Sequence, residues 1–237
     1  PVHWSANFDE IQDFENDIVN SFGGSGLAQD GSLPNAPLGA TNAGRSRELD
    51  ALAAYVTSLS EAPLSPARAA DGSLSVAAVR GKALFARADV GCTSCHAPPR
   101  FTDSRLSKPF VLHDVGTLTT ASGSRLGSAL VGLDTPSLIG VWDSAPYLHD
   151  GSAATLRDVV TTKNLGDNHG RTSILSAAEV DDLVEYLRSI DGRPDSPQAE
   201  STGSPSRACG TGSMVGALLA ACLGFFTLVV RSKPIQE

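Results

Sequence analysis

An all-α chain with long loops is predicted by three observations. Four stretches carry apolar residues at helical spacing, no convincing strand alternation interrupts residues 97–151, and 23 Gly and 14 Pro among 237 residues spread turns through the sequence. The first helix spans about 46–59. The second begins behind a Ser75 cap and offers Val76, Val79, Leu84 and Phe85 before ending near Ala88. The third, 155–162, has Leu156, Val159 and Val160 behind Thr155, with Asp158 in its first turn. In the fourth, Ser176 and Glu179 form a capping box, and Val180, Leu183, Val184, Leu187 and Ile190 then recur on one face.

The first and fourth helices are related. Residues 49–59 align without a gap on 180–190, pairing Leu52 with Leu183, Tyr55 with Tyr186 and Leu59 with Ile190. The match continues upstream, where Leu38-Gly39 and Asn42-Ala43-Gly44-Arg45 correspond to Leu165-Gly166 and Asn168-His169-Gly170-Arg171. An internal repeat accounts for this. Residues 1–63 then read as the C-terminal remnant of a preceding module, and 75–190 as a more complete one. A loose stretch with Pro63 and Pro66 separates them. The chain begins at Pro1 with neither Met nor signal peptide, as a processed chain or a fragment does.

Residues 191–207, with Pro194, Pro197 and Pro205 among Ser, Gly, Asp and Gln, read as a disordered linker. Beyond it, 208–230 carries no charged residue and is followed by Arg231 and Lys233. This predicts a transmembrane helix over 208–231, or a C-terminal sorting signal. The basic flank puts the C-terminus in the cytoplasm and the bulk of the chain in the periplasm or at the cell surface. A net charge of −8 without a basic run excludes a nucleic-acid surface built on phosphate contacts, and suits a basic partner.

Residues 97–151 hold no period at all. A packed domain rarely contains so long an irregular stretch unless it wraps something. Just before it stands Cys92-Thr93-Ser94-Cys95-His96, the attachment spacing of a c-type haem. Two thiols three residues apart can each bond one vinyl group of the same porphyrin, and the adjoining imidazole becomes the proximal ligand. A chain of this composition produces the motif by chance roughly once in a thousand. A zinc site needs a second ligand pair, but the remaining cysteines, Cys209 and Cys222, lie beside or within the uncharged segment. A thioredoxin-type pair needs a βαβ setting that is absent.

The prediction is therefore a cytochrome c-like haem domain with long haem-wrapping loops and one covalent haem c held by Cys92, Cys95 and His96. Phe85, Phe101, Phe110, Leu106 and Leu112 are expected to wall it. For the sixth ligand, the only Met, Met214, lies in the uncharged C-terminal segment. That leaves His113, His149, His169, a weaker ligand such as Lys163 or Tyr147, or an unfilled position. His169 precedes the closing helix in a Gly-flanked loop, where many small c-type cytochromes carry their ligand. It is the expected metal ligand opposite His96, with His113 next. Ala43 occupies the equivalent place in the first module.

Taken together, Gly81-Lys82-Ala83-Leu84-Phe85, the Cys92 to His96 motif, Phe101-Thr102-Asp103, His113-Asp114-Val115-Gly116-Thr117, Asp134-Thr135-Pro136-Ser137-Leu138 and Ala145-Pro146-Tyr147-Leu148-His149-Asp150-Gly151-Ser152 resemble the C-terminal haem domain of bacterial di-haem cytochrome c peroxidases and their MauG-like relatives. The resemblance implies an electron-receiving C-terminal haem, a second haem domain upstream where peroxide is reduced, and a place near the haem for His149. It maps a family calcium onto the backbone around Ser144 and Pro146, where Ser replaces the usual Thr, so calcium stays open. The family's distal Met falls near Thr162 or Lys163, and neither is Met.

The expected function is electron transfer to or from an adjacent haem module or redox protein partner, with no catalytic residue in this chain. The alternative is the C-terminal part of a peroxidase or MauG-like oxidase whose catalytic haem lies upstream.

Overall fold

The computed structural model describes residues 2–28, 31–106 and 108–195. Among them are four α-helices: α1 (Arg47–Ser58), α2 (Val76–Phe85), α3 (Leu156–Val160) and α4 (Ala177–Arg188), joined by long irregular segments and short 3-10 turns. Each starts where a hydroxyl side chain can satisfy a free backbone N–H. Ser46 and Ser75 accept from the N–H groups of Leu49 and Ala78. Thr155 with Asp158 and Ser176 with Glu179 form reciprocal capping boxes.

The core lies where α2 crosses α4. Ala78, Phe85, Leu183, Tyr186 and Ile190 are buried there, with α3 contributing Leu156, Val159 and Val160. Gly81 sets how close the helices come. A methyl group at this position would stand 1.9 Å from the Asp182 carbonyl oxygen and 2.9 Å from the Tyr186 side chain. Glycine costs a helix interior about 1 kcal/mol relative to alanine, and here the close crossing offsets it. Arg80 seals the edge of the crossing with a two-pronged hydrogen bond to Asp182 at 2.7 and 2.6 Å.

The repeat survives as local structure but not as burial. Leu183, Tyr186 and Leu187 of α4 and Ile190 just beyond it are buried, whereas their counterparts Leu52, Tyr55 and Val56 on α1 and Leu59 at its end are exposed. α1 buries Leu49 and Ala53 instead, packing on the turn Ile11–Phe14. A polar knot holds that N-terminal region. Buried Asn42 donates to the Asp13 carboxylate at 2.9 Å, while its side-chain oxygen accepts from the Asn35 N–H at 2.7 Å.

The stretch around Pro63 and Pro66 is tied down. Ser65 donates through its backbone N–H to Asp191 and through its hydroxyl to the Arg188 carbonyl. Buried Arg68 bonds the Ser189 carbonyl at 2.8 Å and pairs with Asp191 at 3.5 Å. The N-terminal segment is stitched on as well, since the Trp4 carbonyl accepts from the Asp134 N–H and Arg125 donates to the Ser5 and Ala6 carbonyls.

One feature departs from the expected all-α architecture. Ser124–Arg125 and Ser128–Ala129 form an antiparallel ladder. It turns on Leu126 and Gly127, both at positive φ, the backbone a two-residue hairpin needs. Strands two residues long carry no alternation, so the pattern had nothing to register. The transmembrane helix expected over 208–231 falls outside the described residues. Among those described, no helix is long and apolar enough to cross a membrane, and the longest run 12 residues against the ~20 a bilayer requires.

Gly81→Ala is expected to force α2 away from α4 and lower stability by about 1–3 kcal/mol, the usual cost of overpacking. Denaturant unfolding followed by circular dichroism checks this; an unchanged midpoint would refute the close-crossing account.

Candidate haem site

The cysteine motif follows α2 after one loop. Gly91, at φ +87°, turns the chain, Cys92–Ser94 form a 3-10 turn, and the His96 N–H closes on the Cys92 carbonyl at 2.9 Å. Cys92 and Cys95 are free, partly buried thiols. Burial pushes the Cys92 thiol up to about 11.

His96 is buried, and its Nδ1 stands 3.0 Å from the Phe101 carbonyl oxygen. A carbonyl can only accept, so Nδ1 carries the proton and Nε2 keeps its lone pair free for a metal. Desolvation lowers the His96 pKa, which also favours the neutral, ligating form. The carbonyl is aimed by a backbone that few residues adopt. Phe101 has φ +53°, and its N–H returns to the Ala97 carbonyl at 2.8 Å. Its ring packs 6.0 Å from that of Phe85, which in turn meets Tyr186 edge-on at 5.4 Å. Phe85 belongs to the buried core cluster, and Phe101 and Cys92 pack against that cluster. Phe110 instead lies under the Arg125 guanidinium, and Leu106 is exposed.

His169 is brought to the same place from the other end of the domain. Its ring centroid lies 6.2 Å from that of His96. Burial, and secondarily His96, push its pKa down to about 4, so the ring is neutral at physiological pH. The loop carrying it hangs on Asn164, which is buried. Asn164 accepts from the His169 N–H at 2.8 Å and donates to the Gly170 carbonyl at 2.7 Å and the Thr172 hydroxyl at 2.8 Å. Next to it, the Arg171 N–H bonds the Val90 carbonyl at 2.8 Å, joining this loop to the approach to Cys92. Gly170 sits at φ +80°, where a methyl group would press to 3.0 Å on the Val90 carbonyl oxygen.

The other candidates engage different partners. His149 bonds the Ser122 hydroxyl at 2.9 Å and meets Trp4 at 6.2 Å between ring centroids. His113 bonds Asp103 through Nε2 at 2.7 Å and approaches the Cys95 sulfur through Nδ1 at 3.7 Å. Lys163 borders a polar cavity of about 350 Å³ with Thr117, Asp150 and Asn168 that includes neither cysteine of the motif nor His96 or His169. Tyr147 pairs through its backbone with Ala153, and the Ser144 hydroxyl donates to the Val141 carbonyl. The Phe101 carbonyl, Asn164 and Asp103 were missed as functional residues. Backbone acceptors leave no trace in residue identity, and an asparagine in a loop looks like any turn former.

Two free thiols beside an imidazole whose Nε2 is left unpaired fit a covalently bound haem c. Comparisons with known proteins point the same way. A family model described as RoxA-like, cytochrome c-like, matches residues 132–165. The chain is 36% identical over 172 residues to hydrazine synthase subunit gamma of Kuenenia stuttgartiensis, covering 60% of this chain and 48% of the relative. It is 30% identical over 182 residues to cytochrome-c peroxidase IdrP2 of Pseudomonas sp. (strain SCT), covering 62% and 49%. It is 29% identical over 134 residues to methylamine utilization protein MauG of Methylophilus methylotrophus, covering 50% and 38%. The chain therefore spans less than half the length of each of these relatives. The resemblance to MauG-like proteins and cytochrome c peroxidases is shared by sequence matches as well as motifs, and this similarity implies haem c.

Asn164→Ala should orphan the His169 N–H and the Gly170 carbonyl and cost about 1–3 kcal/mol. Urea unfolding measures it; a loss within error of zero would contradict the clamp.

Proposed function

We propose that this relative of MauG-like proteins and cytochrome c peroxidases is an electron-transfer haem domain. One haem c would be bonded to Cys92 and Cys95, with His96 and His169 as the residues that would hold its iron. The observation that carries this reading is the pairing of the two imidazoles. Rings that each reach a shared ion through one nitrogen at about 2 Å have centroids roughly 6 Å apart, and these stand at 6.2 Å.

When bound, the haem supplies one-electron redox chemistry at its iron. The protein's part is to hold and insulate it. The cysteines prevent its loss. The His96 Nδ1–H donates to the Phe101 carbonyl, which fixes the ring's direction and leaves Nε2 free. His169 is kept neutral by burial, and no hydrogen bond in the described residues engages its ring. Held by both imidazoles, the iron would have no position left for an exogenous ligand, as suits a relay. A His/His pair also favours a lower potential than His/Met. The net charge of −8 favours a basic redox protein, or a basic face of an adjacent haem module, as partner.

The matured chain should show one haem per polypeptide by pyridine haemochrome, a low-spin spectrum, and no change on adding cyanide. His169→Ala should keep the covalent haem but turn it high-spin and cyanide-binding. A wild-type chain that is already high-spin and binds cyanide readily would overturn the relay reading in favour of a peroxidase-like role.

A further inference from the structure

Beside the attachment motif lies a constellation that the haem-ligating residues do not use. His113 is fixed by backbone pairing with Leu133, its N–H and carbonyl bonding at 2.9 and 2.8 Å. Gly132 makes room for that pairing, since a methyl group there would come within 2.9 Å of the His113 nitrogen. Two contacts settle which ring nitrogen carries the proton. The Asp103 carboxylate, 2.7 Å from Nε2, is ionised. Burial would raise its pKa, but hydrogen bonds from Thr135 and His113 outweigh that and hold it below the usual carboxylate value. An ionised carboxylate only accepts, so Nε2 carries the proton. Nδ1 is therefore a bare lone pair, and it faces the Cys95 sulfur at 3.7 Å.

This is the arrangement of an activated nucleophile: a thiol, a base within reach, and a third group that orients the base. Ser94 also approaches Cys95, at 3.6 Å, but its hydroxyl proton is committed to the Gly91 carbonyl at 2.6 Å. Among the described residues no imidazole is hydrogen-bonded to the Cys92 sulfur. The two attachment cysteines are thus chemically unequal. A metal ion is a poor alternative occupant. The ligand atoms of Cys95, Asp103 and His113 lie within 4.8 Å of one another, yet these residues offer an ion one sulfur, one nitrogen and one carboxylate oxygen, short of the four ligands of a structural zinc site.

We propose that His113, oriented by Asp103, takes the proton of Cys95 and activates this sulfur, rather than that of Cys92, for bonding to a haem vinyl group. The step is an addition. The S–H bond breaks, its proton passes to His113 Nδ1, the sulfur bonds the inner vinyl carbon, the vinyl π bond breaks, and a proton is returned to the outer carbon. Electrons balance without an oxidant or reductant. The proposal rests on the haem reading above, with His113 the group in contact with the reacting sulfur and Asp103 a positioning residue.

The test compares the full wild-type chain with His113→Gln, Asp103→Asn and Ser94→Ala in two arms. In the first, iodoacetamide labelling of the haem-free chain is followed at each cysteine by peptide mass spectrometry, with circular dichroism confirming retained helix. Cys95 should label about tenfold or more faster than Cys92. His113→Gln should abolish the difference without slowing Cys92, Asp103→Asn should reduce it, and Ser94→Ala should leave it. In the second arm, chains matured with haem are denatured and their free thiols counted. His113→Gln should leave Cys95 free on a haem still bonded through Cys92. Equal labelling of the two cysteines in a helical wild-type chain, or His113→Gln maturing with two thioethers at wild-type yield, would overturn the proposal. A wild-type chain that never acquires haem fails the relay reading, while the labelling arm still reports on the base.

Discussion

Everything at the site depends on one hydrogen bond, from His96 Nδ1 to the Phe101 carbonyl. It decides which nitrogen of a buried ring is free, and it does so through a backbone acceptor held at positive φ five residues along the chain. The loop between the two residues can be irregular because this bond, with the return of the Phe101 N–H to Ala97, closes it on itself. A protonated or rotated ring would lose the directed lone pair that the proposed iron ligation requires.

The opposite loop answers to the same logic at longer range. Asn164 gathers the backbone around His169, and the Arg171 to Val90 bond fastens that loop to the approach to Cys92. Two segments about 70 residues apart are thereby held face to face before any prosthetic group is considered. Behind them stands the α2 and α4 crossing, where Gly81 allows contact close enough to bury Phe85 and Tyr186 as one aromatic floor. The first repeat shows what that crossing contributes. α1 has the same sequence pattern as α4, but it has no helix like α2 on the equivalent face among the described residues, and its Leu52, Tyr55 and Leu59 remain exposed.

The helices were legible because their caps and apolar faces are local properties. Ser75 and Ser176 cap where the residue pattern predicts, and Ser46 and Thr155 cap the two helices whose starts it places there. The cysteine motif was legible because its chemistry demands adjacency in sequence. What escaped was set by contacts between distant residues or by backbone atoms. The hairpin at Leu126 and Gly127 is too short to alternate, and the Asp103 to His113 pairing needs a turn of chain that no periodicity announces. Phe101 was expected to act through its ring and acts also through its carbonyl. Leu106 and Phe110, apolar and nearby in sequence, are drawn to other surroundings by the irregular path of residues 102–112.

The most direct test of the two-imidazole arrangement is nitrogen-15 NMR of the reduced, matured chain labelled at histidine. The account predicts two iron-bound imidazoles, assigned to His96 and His169, each coordinated through Nε2, with a His96 Nδ1 proton that exchanges slowly because it is bonded to the Phe101 carbonyl. A single coordinated imidazole, or His96 bound through Nδ1, would contradict it.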